Sequence, residues 1–177
     1  MKEAQKEYSE QKTQIPKATN FVLRIHIFNI LIPTYAVYKA FLKYISTENA
    51  LLMIQNILSN MLRPFRKVLE WLSLKSSFNK IFNWLLLSGI KLIFPPSGWE
   101  IEWVQKNHQL ISFRINNCIY LQTLTTLGAP ELTPIFCWLD NYMFENLSPQ
   151  LLFQRPKTLA CHSEACIFNF EFKSNVQ

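Results

Sequence analysis

The sequence changes its periodicity once, at Pro95–Gly98. Before this point, from Phe21 to about Ser88, apolar residues recur at the three- and four-residue spacing of amphipathic helices. After it, Trp99–Val104 alternates large apolar residues with acidic ones, as a strand with one buried face does. Helices followed by strands predict an α+β fold.

The second half predicts further elements that alternate between strand and helix. Lys106–Gln109 is a predicted hairpin turn, followed by a pairing strand at Leu110–Ile115. Helices are predicted over Cys118–Leu127, capped by Asn116 or Asn117 and ended by Gly128, and from Glu131 or Thr133 to about Leu147. Two last strands, Leu151–Leu159 and Cys166–Phe172, flank the loop Ala160–Ala165.

Two details are predicted in the helical half. Ser46 or Thr47 caps a helix, and Pro64 breaks or kinks it. We therefore predict a flexible tail at residues 1–17 and one α+β domain at 18–177. In that domain a helical part, 18–94, packs with an α/β part, 96–172, that holds a small antiparallel sheet and two helices.

The charge distribution bears on partners. The chain has 18 Lys and Arg against 12 Asp and Glu, a net charge of +6. The excess is scattered through residues 1–97 and accompanies no nucleic-acid-binding motif, so no nucleic-acid partner is expected. Charged and polar residues interrupt Phe21–Ile45 and Phe78–Phe94, which disfavours membrane spanning. These basic, apolar helices are expected to pack on the domain, or else to contact a membrane peripherally.

All four cysteines lie in the second half of the chain. The polar first residues do not resemble a signal peptide, so a cytoplasmic location with reduced thiols is predicted. The cysteine spacings do not match a structural zinc site, and His162 between Cys161 and Cys166 adds too few ligands. His26 is interpreted as a helix-surface residue and His108 as a turn residue. Neither a metal nor a cofactor is expected.

Four blocks in order resemble the conserved region of the L-2-amino-thiazoline-4-carboxylic acid hydrolase family. They are Pro96–Val104, Ile115–Leu121, Gly128–Asp140 and Phe153–Phe168, which together cover about residues 96–172. One departure follows Leu159 and Ala160, where the family turns through a glycine and this chain has Cys161-His162-Ser163-Glu164. A looser likeness, by analogy, is to four-vinyl-reductase-type small-molecule-binding domains.

The resemblance implies hydrolysis of a small cyclic amidine, without a cofactor, to a carbamoyl-cysteine. Cys118 and Cys137 are the candidate nucleophiles, and Cys118 is favoured because a helix start lowers the pKa of a thiol. Asp140 follows Cys137 by three positions and is a candidate acid or base. Small buried thiols and a surface carboxylate are the structural alternatives.

Substrate binding is assigned to a second set of residues. Arg155 and Lys157 are expected to share one face of a strand, where either could pair with a substrate carboxylate or simply be solvated. The other predicted substrate-binding residues are Asn117, Thr158 and Cys166. The leading prediction is thus a hydrolase. The alternatives are a non-catalytic accessory protein of a biosynthetic pathway, which binds a small molecule, and a peripheral membrane protein.

Overall fold

A computed structural model describes residues 20–173, which form five helices and one antiparallel sheet. The predicted α+β fold is confirmed. Helix α1 spans Phe21–Phe41, and the others are α2 (Thr47–Ser73), α3 (Phe78–Ile93), α4 (Ile119–Thr126) and α5 (Thr133–Phe144). The strands are β1 (Trp99–Lys106), β2 (Leu110–Cys118), β3 (Leu151–Gln154) and β4 (Cys166–Phe172), in the sheet order β1-β2-β4-β3. The predicted tail, residues 1–17, lies outside the described residues.

Helix α1 changes its winding along its length. It is α-helical at Phe21–Arg24, a π-helix at Ile25–Leu31 and α-helical again at Ile32–Phe41. By length and composition, α1 is the one helix of residues 20–173 that could cross a membrane, with a mean hydropathy of 1.4 over its most apolar window. Half of that window is buried inside the protein, as in the core helix of a compact domain.

Helix α2 starts as predicted, with the Ser46 hydroxyl accepting a hydrogen bond from the Asn49 N–H group at 3.4 Å. The predicted break at Pro64 is wrong, because α2 continues through this residue to Ser73. A proline inside a helix removes one backbone hydrogen bond. Packing of Leu69 and Leu72 against α3 holds the helix together beyond that point.

Strands β1 and β2 form the predicted hairpin, but β2 is longer than expected. Asn117 pairs with Glu100 of β1 and Asn116 is the extra residue of a bulge, so neither caps a helix, and Cys118 occupies the cap position of α4. The pairing shifts by one residue, since Ile115 lies opposite Ile101 and Asn117 lies opposite Glu100. Such a bulge turns the following side chains to the other face. It places Cys118 opposite the buried Trp99.

Gly98 permits the close approach that seats the start of α4. Its carbonyl oxygen accepts a hydrogen bond from the Ile119 N–H group at 2.9 Å. A Cβ atom at this position would lie 2.7 Å from Cδ1 of Leu23 and 3.2 Å from Cγ2 of Ile119. The absence of a side chain therefore lets α1 pack directly on the junction between β2 and α4.

The ends of the two short helices agree closely with the sequence. Gly128 follows α4 with a φ of 69°, in the left-handed region that a glycine adopts without strain. A 3-10 turn at Pro130–Leu132 leads into α5, which begins at Thr133 with Pro134 in its first turn. Helix α5 ends at Phe144, three residues before the predicted end.

The prediction for the closing hairpin is confirmed in its second strand and wrong in its first. Cys166, Phe168, Phe170 and Phe172 are all buried on one face of β4, as predicted. Strand β3 ends at Gln154, whereas the prediction extended it to Leu159. Pro156 has no N–H group to donate to a neighbouring strand, so the ladder cannot continue through it. The expectation that Arg155 and Lys157 share a strand face is therefore wrong.

The loop between β3 and β4 shows how the chain turns without the family's glycine. A 3-10 turn at Leu159–Cys161 is followed by His162 with a φ of 60° and a ψ of 21°. This left-handed conformation is the one that glycine adopts most easily. The histidine keeps the turn at some conformational cost, which for a non-glycine residue is about 1 to 2 kcal/mol.

Two apolar clusters form the core of the described residues. The first covers the buried sheet face with α1 and α3, where Phe113 stacks on Phe168 at a ring distance of 4.8 Å. The second joins the middle of α1, the first half of α2, α4 and α5. Tyr120 and Ile119 border the first cluster, and Tyr120 also contacts the second. The β2–α4 junction thus lies where the two clusters meet.

Candidate active site

Cys118 occupies the junction between β2 and α4. The bulge in β2 directs its side chain to the buried face, beside Trp99. Burial raises the pKa of the Cys118 thiol, while the N–H groups of Leu121 and Tyr120 and the side chain of Trp99 lower it to a smaller extent. The net shift is upward, opposite to the prediction, because burial outweighs the lowering that the helix start provides.

Cys137 and Asp140 lie one turn apart on α5, as their spacing predicts. Burial raises the pKa of Cys137 to about 12, although the positive charge of Arg155 opposes the shift. Burial likewise raises the pKa of Asp140 from 3.8 to about 6, again opposed by Arg155. At neutral pH the thiol is therefore protonated and the carboxyl group is mostly ionised.

Arg155 is the residue that joins these elements. Its side chain is only 5% exposed, and Nη1 lies 3.0 Å from the Asp140 carboxylate, whose side chain is 29% exposed. The same nitrogen donates to the backbone carbonyl of Cys137, and the guanidinium carbon lies 4.5 Å from the ring centre of Phe168. By leaving the strand after Gln154, the chain brings this buried cation onto α5.

Cys166 begins β4 and completes the group. Its sulfur accepts a hydrogen bond from the Leu159 N–H group at 3.2 Å, and it lies close enough to the Arg155 side chain to raise the pKa of that side chain. Burial lowers the pKa of Arg155, but the charges of Asp140, Cys137 and Cys166 raise it above its ordinary value. We call Cys118, Cys137, Cys166, Asp140 and Arg155 the thiol cluster, because charge on one member changes the ionisation of others.

A histidine and a tyrosine adjoin the thiol cluster, and no pattern in the sequence predicts that they are in contact. His26 Nε2 lies 2.9 Å from the Ile93 carbonyl oxygen, and Nδ1 lies 2.7 Å from the Tyr120 hydroxyl. A carbonyl can only accept, so Nε2 carries the proton and Nδ1 accepts from Tyr120. Burial lowers the pKa of His26 and, together with the charges of Cys118 and Asp140, raises that of Tyr120.

This contact corrects the interpretation of His26 as a surface residue. Its ring meets Trp99 edge-on at 4.8 Å, with the Tyr120 ring 5.7 Å away. Tyr120 and Ile93 are distant in sequence, so no local spacing could have indicated them. The π-helical segment that holds His26 is a local departure of a kind often found at functional sites.

The remaining predicted site residues divide into two groups. Asn117 lies opposite the exposed Glu100, and its side-chain oxygen accepts from Gln122 at 2.7 Å, so it faces away from the thiol cluster. Lys157 has an exposed side chain. The Thr158 hydroxyl and Arg155 Nε are both buried and have no hydrogen-bond partner within the described residues.

The positions of the His, Cys, Asp and Glu side chains determine whether the protein could bind a metal ion. Across residues 20–173, no three His, Cys, Asp or Glu side chains are grouped so that they could hold a metal ion. His162 and Cys161 are exposed in their turn, whereas Cys166 is buried on the sheet face. All four cysteines are free thiols.

The sequence model of the L-2-amino-thiazoline-4-carboxylic acid hydrolase family matches residues 24–170. The chain belongs to this family. The match extends through the helical half, beyond the region near residues 96–172 where the resemblance was first placed. It includes every member of the thiol cluster and also His26 and Tyr120.

Other comparisons add little. No curated protein is detectably similar to this hydrolase-family chain in sequence. Two solved structures of the Fe(II) unliganded H-NOX protein from K. algicida, one of an alanine-to-glycine mutant, are each 10% identical to it. They cover 97% of this chain and 88% and 89% of their own, with TM-scores of 0.34 and 0.33. Scores this low carry no conclusion about fold or ligand.

Proposed function

We propose that this family member is a cofactor-independent hydrolase that opens a 2-aminothiazoline-type ring, or a related small cyclic amidine. The reaction is C–N hydrolysis to a carbamoyl-cysteine. Family membership supports hydrolase chemistry in general. The observation that carries the specific proposal is the Arg155–Asp140 ion pair, in which a carboxyl group with a pKa of about 6 lies beside a buried cation.

The substrate would be held by donors that the protein leaves unused. Among residues 20–173, Arg155 Nε and the Thr158 hydroxyl are buried without hydrogen-bond partners, and such groups are costly unless something accepts from or donates to them. A substrate carboxylate accepts well from a guanidinium N–H group. The exposed Lys157 adds positive charge to the same segment and would draw an anionic substrate toward it.

Asp140 is the proposed general base. It takes a proton from water as the water oxygen bonds to the amidine carbon and the C=N double bond becomes single, and gives this proton to the ring nitrogen. It then takes the proton of the new hydroxyl group as the carbonyl forms and passes it to the same nitrogen, which leaves as an amine when the C–N bond breaks. A carboxyl group with a pKa of about 6 suits both steps, because it is mostly ionised at neutral pH yet basic enough to accept a proton. Arg155 keeps the carboxylate in position through the 3.0 Å contact.

The thiols of Cys118 and Cys137 are assigned a smaller role than the carboxylate. Because burial raises the pKa of both, neither is a thiolate at neutral pH. Attack by either sulfur would first require proton transfer, which Asp140 could accept from Cys137 one turn away. A water nucleophile needs no such step, so we expect the thiols to shape the site rather than form a covalent intermediate.

The test is turnover of L-2-amino-thiazoline-4-carboxylate by the purified chain, followed by mass spectrometry. We expect Asp140→Asn to lower kcat at least about 100-fold, since general bases typically contribute that much. Cys118→Ala and Cys137→Ala should stay within about tenfold of wild type, because loss of a packing group is a smaller effect. Glu145→Gln, which removes an exposed carboxylate just beyond α5, is the matched control and should be neutral.

Several outcomes would contradict this proposal. Absence of turnover in a folded, reduced wild-type protein would exclude the activity on this substrate. Loss of turnover in Cys137→Ala, accompanied by a covalent adduct in wild type, would replace the water mechanism with a thiol one. A rate that does not rise with pH through about 6 would remove Asp140 as the base.

The aromatic surroundings of the site favour a second candidate, a non-catalytic small-molecule-binding accessory protein. Tyr120 lies 4.8 Å from Phe136 and 5.6 Å from Trp99 between ring centres. Flat apolar ligands stack well on such rings. Saturable quenching of tryptophan fluorescence by the thiazoline, absent in Trp99→Phe and unaccompanied by turnover, would favour this function. In either case we propose a cytoplasmic location, where the four free thiols stay reduced.

A further inference from the structure

Helix α2 buries only the first half of its apolar side. Ala50, Ile54 and Leu58 are 0%, 1% and 8% exposed, and they pack on α1 and α5. Residues three or four positions apart lie on one side of a helix, so Phe65 and Val68 continue this stripe. Yet they are 65% and 56% exposed. The apolar side of α2 therefore extends past the part of the domain that covers it.

Helix α3 adds a second exposed apolar stripe next to the first. Ile81 and Leu85 are 39% and 42% exposed, and both line an apolar groove together with Leu69 and Leu72 of α2. Phe65 and Val68 lie one turn before Leu69 and Leu72, so the two stripes meet at this groove. We call the joined surface the hairpin face, and its residues are Met61, Phe65, Val68, Trp71, Ile81 and Leu85.

Positive charge surrounds the hairpin face. From Thr47 to Ile93 the chain has six basic and two acidic residues, an excess of four positive charges. Arg63, Lys67, Lys75 and Lys80 are exposed beside the apolar stripes. The ammonium group of Lys75 lies 4.5 Å from the ring centre of Trp71. A helix with aromatic and aliphatic residues on one side and basic residues on the other is typical of a membrane interface.

The charge also argues against two other occupants. A second copy of the chain would bring the same excess of four positive charges against the first, which disfavours self-association through this face. Residues 1–19 and 174–177 have few large apolar residues, namely Met1, Tyr8, Ile15 and Val176. Segments of that composition could not cover an apolar surface of two helices.

We propose that the hairpin face docks the protein on the surface of an anionic lipid bilayer. The apolar side chains enter the headgroup boundary, and the surrounding Lys and Arg residues pair with the lipid phosphates. This places the membrane contact on α2 and α3. The sequence suggests Phe21–Ile45 or Phe78–Phe94 as the contact, and in the first of these segments Leu31, Ile32 and Tyr38 are 0%, 0% and 1% exposed.

The experiment is co-sedimentation of the full chain with vesicles of phosphatidylcholine alone or with about one-third phosphatidylglycerol, an anionic fraction chosen to give a negative surface potential. The test variant is Phe65→Gln with Val68→Gln. The matched control is Leu52→Gln with Val104→Gln, whose side chains are 52% and 61% exposed but lie outside the hairpin face. A third variant, Lys67→Gln with Lys75→Gln, removes charge and leaves the apolar side chains.

We expect wild type and control to sediment with anionic vesicles and to remain in solution with neutral ones. The Phe65 and Val68 variant should lose binding by at least about tenfold, because two apolar side chains no longer leave water. The Lys67 and Lys75 variant should also bind less tightly, and the difference should shrink as salt is added.

Three results would overturn the proposal. One is wild-type protein that stays in solution with anionic vesicles. Another is equal binding to neutral and anionic vesicles. The last is a concentration-dependent dimer in wild type that is absent from the Phe65 and Val68 variant, which would show that a second copy covers the face.

Discussion

The thiol cluster buries ionisable groups, whereas the hairpin face exposes apolar ones. In the cluster, Arg155 and Asp140 lose water and recover stability only through each other and the neighbouring polar atoms. On the hairpin face, Phe65 and Val68 stay more than half exposed. Substitutions in the two regions should therefore have opposite effects. Changes in the cluster alter folding and pH dependence, while changes on the face leave folding intact and alter association.

The largest expected effect is on the ion pair. Arg155→Met should lower the free energy of unfolding by about 3 kcal/mol, because Asp140 is left with an uncompensated charge in a mostly buried site. Adding Asp140→Asn should recover at least about 1 kcal/mol of this loss, since the residue no longer carries a charge. Urea unfolding at neutral pH measures both variants. Equal instability of the single and double variants would mean that the pair is not coupled.

A pH dependence should follow from Asp140. Its pKa is about 6 in the folded protein against 3.8 for the free carboxyl group, so the folded state binds the proton more tightly. The stabilisation from this group is therefore complete below about pH 4 and lost as the pH rises through about 6. Relative to Asp140→Asn, wild type should lose up to about 3 kcal/mol between pH 4 and pH 7.5. If the free energies of unfolding of wild type and Asp140→Asn change equally with pH across this range, the raised pKa of Asp140 is excluded.

A smaller effect is expected at the turn between β3 and β4. His162→Gly should raise the free energy of unfolding by about 0.5 to 1 kcal/mol, because glycine relieves the left-handed strain but adds chain entropy when unfolded. Glu164→Gly is the matched control, since its φ is not positive, and it should not stabilise the protein. Thermal or urea unfolding that ranks the control above His162→Gly would contradict the strain argument.

The smallest effect should come from the hairpin face. Phe65→Gln with Val68→Gln should change the free energy of unfolding by less than about 0.5 kcal/mol, as exposed substitutions usually do. The same change at the buried Ile54 should be severe, because it removes core packing and buries an amide. A loss above about 2 kcal/mol in the double variant would show that another part of the protein covers this face.

The strands could be predicted best, because each follows a pattern that the sheet itself imposes. The alternation in Trp99–Val104 and in Cys166–Phe172 survives folding, since both strands keep one buried and one less buried face. The prediction for strand β3 extended past its observed end at Gln154, because it did not use the missing N–H group of Pro156. The start of α2 at Ser46 and the end of α4 at Gly128 were predicted from these residue types alone.

The candidate site could be predicted only in part. The sequence spacing placed Cys137 and Asp140 on one side of a helix, and family resemblance picked out Cys118, Arg155 and Cys166. The predicted direction of the net pKa shift of Cys118 was wrong. The helix start can be recognised in the sequence, but the burial of the thiol depends on tertiary packing, which the sequence does not show. His26 was missed for the same reason, since its partners come from α3 and α4.

The strand order also sets when the site can exist during folding. Strands β1 and β2 close through a short turn, so their pairing is local and can form early. Ile115 pairs with Cys166, which closes a loop of about fifty residues, and loops of this size have a higher entropic cost of closure. The three thiols and the Arg155–Asp140 pair therefore come together only when β4 docks on β2. A chain in which only the first hairpin has formed would hold these residues apart and in water, so the candidate site is not assembled before the fold is nearly complete.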